Sequence, residues 1–152
     1  MKHIKFYIVF FLILNACGYT PIYKGLNEVD FQIEITNSSG DRYINNRIKS
    51  DINRYKVTGK TNKTIYKINI DSKYEKTSIS KNLAGDDTSY ELKVTTVVDI
   101  NSVNFNDKII FTEKFNMNNI GDDFEEKEYE ETIKDNFAKS ISNKLISRIS
   151  QF

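Results

Sequence analysis

Residues 90–100 read Tyr-Glu-Leu-Lys-Val-Thr-Thr-Val-Val-Asp-Ile, and their period is two: Tyr90, Leu92, Val94, Thr96, Val98 and Ile100 form one row, Glu91, Lys93, Thr95, Val97 and Asp99 the other. Successive side chains of a strand point to opposite faces, so this stretch predicts a long strand with one face on a core and the other toward water. The same period runs upstream from Thr64 to about Ser80, where Tyr66, Ile68, Ile70 and Tyr74 oppose Lys67, Asn69, Asp71 and Lys73. Asn82-Leu83-Ala84-Gly85-Asp86-Asp87 supplies the turn between the two strands. Downstream, Phe105-Asn106-Asp107-Lys108 reads as a second turn, after which Ile109, Phe111, Phe115 and Met117 resume the alternation, interrupted at Glu113. These three strands read as a meander.

The flanks change the period. Asp30 to Thr36 predicts a first strand, with Phe31, Ile33 and Ile35 on one side and Gln32 and Glu34 on the other. Asn37-Ser38-Ser39-Gly40-Asp41 is a turn cluster rich in helix-capping residues. Ile44, Ile48, Ile52 and Tyr55 then recur at helical spacing, which predicts a helix over Asp41–Tyr55, followed by a polar connection at 57–63. From Asp122 to Phe152 the row Tyr129, Ile133, Phe137, Ile141, Leu145 and Ile149 predicts a second amphipathic helix. Its acidic start, Asp122 to Glu131, suits the positive end of a helix dipole, and Lys134, Lys139, Lys144 and Arg148 follow in the later turns. The fold class expected is α+β in the order β-α-β-β-β-α: a four-stranded, mostly antiparallel sheet with two helices packed on one face.

Composition limits the chemistry. The whole chain of 152 residues carries a formal charge of +1, which offers no field for nucleic acid. Its single histidine is His3 and its single cysteine Cys17. Nucleophilic triads and imidazole acid–base work therefore lack their usual groups beyond residue 17, and neither a phosphate-binding glycine loop nor a metal-ligand spacing appears. Asp86 with Asp87 and Asp122 with Asp123 are adjacent carboxylates in turns and read as solvated caps. No enzymatic activity, cofactor or metal is expected.

The N-terminus carries a different signal. Lys2 and Lys5 precede the apolar run Phe6–Leu14, the pattern of a secretory leader. The run is about half of the roughly 20 apolar residues that crossing a bilayer requires. Leu14-Asn15-Ala16-Cys17 resembles the bacterial lipobox, with an aliphatic residue at −3, a small one at −1 and Cys at the cleavage point. The alternative is an ordinary export signal cut nearby, with Cys17 left as a free thiol. The resemblance implies a signal peptide at 1–16, acyl chains such as palmitate on Cys17, a tether over 17–29 and one domain over 30–152. Each buried methylene adds roughly 0.8 kcal/mol, so several chains would anchor the protein without its spanning the bilayer. Gly18 follows the cysteine in place of the Asp that in enteric bacteria retains lipoproteins in the inner membrane, which by analogy implies the outer membrane, periplasmic face.

Cys17-Gly18-Tyr19-Thr20-Pro21-Ile22-Tyr23 resembles the start of the LptE-type lipopolysaccharide-assembly lipoproteins of Gram-negative bacteria, and the element order resembles their two helices on a four-stranded sheet. The resemblance implies a plug that helps assemble the LptD-type outer-membrane β-barrel, which inserts lipopolysaccharide into the outer leaflet. It also implies direct lipopolysaccharide binding through basic residues. Lys73, Lys76 and Lys81, around the hairpin of the second and third strands, are the candidates, since phosphate groups call for such cations. Solvated lysines guarding a strand edge are the competing reading of the same residues. The rival function is another non-enzymatic envelope lipoprotein, a small protein- or cell-wall-binding module.

Overall fold

The computed structural model describes residues 31–53, 64–103 and 105–152. Six elements follow in the order β1 (Phe31–Gly40), α1 (Arg42–Asn53), β2 (Thr64–Lys81), β3 (Asp87–Ser102), β4 (Phe105–Asn118) and α2 (Asp123–Ile149). The strands form one sheet in the order β1-β2-β3-β4. β2, β3 and β4 pair antiparallel through two hairpins, while β1 pairs parallel to β2. A parallel neighbour cannot be reached by a tight turn, and the crossover is where α1 lies. The predicted α+β class and element order are both present.

Burial follows the period of two. Tyr66, Ile68, Ile70, Leu92, Val94, Val98 and Ile100 are buried on one face of the sheet, together with Phe31 and Ile33 of β1. Ile44, Ile48 and Ile52 of α1 and Ile133, Phe137, Ile141, Leu145 and Ile149 of α2 complete the core. Ser72 and Thr96 also face inward, and their hydroxyls satisfy each other at 2.9 Å. Each helix is started by a carboxylate: Asp41 accepts from the Ile44 amide at 2.9 Å, and Asp122 from the amides of Phe124 and Glu125 at 2.9 and 3.0 Å.

Three local expectations need correction. Asn37–Gly40 is not a turn but the second half of β1, paired with Asn69–Ser72 after a register shift between Ile35 and Asn37. Its polar residues suit an edge strand, where side chains reach water and β2 supplies the backbone partners. Phe105–Lys108 is likewise strand: β4 begins at Phe105 opposite Ser102, and Phe105 packs on Phe152 at a tilt of 44°, with 4.2 Å between ring centres. Tyr129 continues the apolar row of α2 in sequence but is 43% exposed. A row of every fourth residue advances about 40° per step around a helix of 3.6 residues per turn, so its far end leaves the buried stripe. Tyr55, the 57–63 connection, the leader and the tether lie outside the described residues.

Candidate functional site

β1 ends opposite Ser72, whereas β2 runs on to Lys81 and β3 starts at Asp87. The far half of this hairpin is thus free of β1, and the N-terminal turns of α2 lie over its inner face. Tyr74 and Lys76 project to that side. The Lys76 ammonium meets Glu126 at 2.7 Å and Glu130 at 3.0 Å and lies 4.4 Å from the Tyr90 ring centre. The Tyr74 hydroxyl donates to Glu130 at 2.9 Å, and Lys134 reaches Glu130 at 3.3 Å while covering the Tyr74 ring at 4.0 Å. Polar groups here take over from the aliphatic core in joining helix to hairpin.

The electrostatics follow from this crowding. Burial pulls the Lys76 ammonium down, but hydrogen bonds to Glu126 and Glu130 outweigh it and hold it above the usual lysine value. Burial pushes Glu130 up, and its bonds from Lys76 and Tyr74 with the charge of Lys134 outweigh that and keep it below the usual carboxylate value. The Tyr74 phenol is pushed well up, by burial first and by Glu130 next.

The three lysines singled out in the sequence therefore do not form one cluster. Lys76 is committed between hairpin and helix. Lys73 lies on the opposite, open face, where it pairs with Glu75 at 2.8 Å and lowers that carboxyl. Lys81 stands at the hairpin end, 3.2 Å from Asp87, whose carboxyl is held down by the Ser78 hydroxyl and by Lys81. Lys73 and Lys81 remain largely solvated, with side chains 73% and 61% exposed.

The open face holds further cations that hairpin-centred reasoning missed. The register places Glu75, Lys93 and Lys114 in one cross-strand row. Lys114 pairs with Glu91 at 3.0 Å, and Lys108 approaches Asp99 at 3.7 Å. The signal was present in the alternation of β3, where Glu91, Lys93 and Asp99 occupy the solvent row. Which charges become neighbours depends on the register. The face therefore carries both signs, with the like charges of Lys93 and Lys114 directly opposite each other and the carboxylates of Glu75 and Glu91 beside them.

Three of the four adjacent carboxylates are occupied locally, and Asp123 lies in the first turn of α2. Asp86 accepts from the Asn82 amide at 2.9 Å, Asp87 takes Ser78 and Lys81, and Asp122 caps α2. Glu113, which interrupts the alternation of β4, turns toward α2 and accepts from Lys144 at 2.6 Å and Ser140 at 3.0 Å. Among the described residues no group of three His, Cys, Asp or Glu is placed to hold a metal ion, and no helix is long and apolar enough to cross a membrane. Cys17 lies outside the described residues.

No family model and no curated protein matches the chain. Solved structures do. The crystal structure of rare lipoprotein B from Shewanella oneidensis superposes with a TM-score of 0.58 at 10% identity, covering 77% of this chain and 93% of that one. The solution structure of an uncharacterized lipoprotein B from Nitrosomonas europaea superposes with a TM-score of 0.51 at 17% identity, covering 80% and 86%. At such identities the likeness is one of fold.

Proposed function

We propose that this chain is an outer-membrane lipoprotein of the LptE type, anchored by acyl chains on Cys17 at the periplasmic face. It acts by binding, not by turnover. In this reading it plugs and helps assemble the LptD-type β-barrel that inserts lipopolysaccharide into the outer leaflet. One coincidence supports it most: a chain whose N-terminus carries Leu14-Asn15-Ala16-Cys17 and then Gly18-Tyr19-Thr20-Pro21-Ile22-Tyr23 also has the fold found in lipoprotein B structures. Leader and domain are unrelated physical signals, and both point to one class of protein. Lys73 and Lys81 are the proposed phosphate contacts, because their ammonium groups are open to a ligand while Lys76 is bound within the fold.

Affinity capture from detergent-solubilised outer membranes tests the reading. A stable one-to-one complex with a large barrel protein, and a tri- or diacylated N-terminal peptide at Cys17 by mass spectrometry, are expected. A free monomer after extraction would favour the smaller protein- or cell-wall-binding module. An unmodified Cys17 thiol in the native product would overturn the anchor itself.

A further inference from the structure

A groove of about 510 Å³ runs along the outer side of β1, and its floor is six consecutive residues, Ile33–Ser38. Consecutive strand residues alternate between faces, so a surface touching all six follows the strand's edge and not either face of the sheet. Lys49 and Asn53, one turn apart on α1, form its wall. Among the described residues β1 is bonded to a strand, β2, on one side only, and the backbone row of its other side faces this groove. Six residues span about 20 Å, and alternate residues present their backbone groups outward; the Ser38 amide is already held by the Asn37 side chain at 2.8 Å, which leaves the Ile33–Asn37 stretch for pairing.

The two sheet edges differ. β4 carries Asp107, Lys108, Glu113 and Lys114 along its length, charges of the kind that guard an edge against pairing. Ile33–Ser38 carries only Glu34. Its register shift is tied inward, since the Thr36 hydroxyl bonds the Ile68 carbonyl at 3.2 Å and the Asn69 side chain at 2.6 Å. The groove wall carries a cation: the Lys49 ammonium donates to the Ser38 hydroxyl at 2.6 Å and has no carboxylate within ion-pairing distance among the described residues.

We propose that this groove receives an extended segment of another protein as a fifth strand on β1, with a carboxylate of that segment at Lys49. Backbone pairing would supply the affinity, and Lys49 the selectivity for an acidic residue. A second copy of this chain offers no carboxylate for Lys49 from its own Ile33–Ser38 other than Glu34, and pairing through that edge is an outcome the test separates. The proposal goes beyond the barrel reading and does not depend on it.

The test uses the purified mature protein in detergent micelles, amide NMR, and a capped hexapeptide of alternating Thr and Val ending in Asp. Saturable shifts confined to the amides of residues 33–38 and to Lys49 are expected. Replacing the terminal Asp by Asn should weaken binding at least fivefold. Lys49→Ala should abolish the difference between the two peptides, and N-methylation of alternate peptide amides should abolish binding. Unperturbed β1 amides, shifts centred on β4, or a concentration-dependent dimer using the same amides would each overturn the proposal. So would slow hydrogen exchange of the β1 edge in the free protein, because the edge would then already be covered.

Discussion

The position that a Cβ would occupy on Gly40 lies 2.1 Å from the carbonyl oxygen of Ser72. The same oxygen accepts a hydrogen bond from the Asp41 amide at 2.6 Å, so the chain leaves β1 for α1 by folding its backbone tightly onto β2. Gly40 has φ +83°, a region that other residues enter only at a cost. Gly40→Ala should destabilise the protein by about 3 kcal/mol, combining backbone strain with overlap against a carbonyl that cannot swing away. Gly85 is the control. It has φ +94° and open space around it, so Gly85→Ala should cost only about 1–2 kcal/mol. Urea unfolding of the two variants checks the contrast, and equal losses would contradict it.

The Tyr74–Lys76–Glu130 contacts make stability depend on pH at both ends. Glu130 is held below its ordinary value of 4.5, so its contribution is present above that value and is lost as pH falls through the folded pKa. Lys76 is held above its ordinary 10.5, so its contribution is present below that value and is lost as pH rises through the folded pKa. Tyr74, raised above its ordinary 10.0, acts in the same direction: loss begins above pH 10 as the unfolded phenol ionises first. Thermal unfolding against pH should show a plateau between these limits. Glu130→Gln should flatten the acid side, and an unchanged acid slope would show that the contact contributes nothing.

Lysine substitutions should divide by the face they occupy. Lys73→Ala and Lys81→Ala remove exposed pairs and should change stability by less than about 0.5 kcal/mol. Lys76→Ala leaves Glu126 without its cation and Glu130 with Lys134 alone, and should cost about 1–2 kcal/mol. In a binding assay with purified lipopolysaccharide the order should reverse. Lys73→Ala and Lys81→Ala should weaken binding severalfold, and Lys76→Ala should not do so beyond its effect on folding.

Along α2 the sequence places Tyr129 and Ile141 in one row, but only Ile141 is buried. Ile141→Ala should cost about 2–5 kcal/mol through lost burial and a residual cavity. Tyr129 keeps an edge contact with Phe115 at 6.3 Å between ring centres, so Tyr129→Ala should cost about 1 kcal/mol. Denaturant midpoints at constant slope distinguish the two outcomes.

Much of the core was legible because a period of two and a period near four are readable one residue at a time. Leu92, Val94 and Ile100, or Ile48 and Leu145, need no partner to announce which face they occupy. Glu113 shows where this reading stops: it breaks the row of β4, and only the arrival of Ser140 and Lys144 from α2 makes a carboxylate acceptable there. Asn37–Gly40 shows the same. Its residue types favour turns, yet β2 offers a ladder of backbone partners that outweighs local preference. Among the candidate lysines, Lys76 could not be separated from Lys73 and Lys81 by sequence, because its commitment depends on side chains some 50 positions away.

From the amino-acid order alone came the α+β class, the six elements, the inward face of most of them and the expectation of a lipid-bearing Cys17, since each follows from local periodicity or a contiguous motif. Tertiary structure alone decided that β1 runs parallel at one edge with an open groove beside α1. It also decided that Lys76 serves the fold while Lys73 and Lys81 stay in solvent. The physical reason is distance along the chain: pairing register and ion-pair choice are settled by groups that meet only after folding.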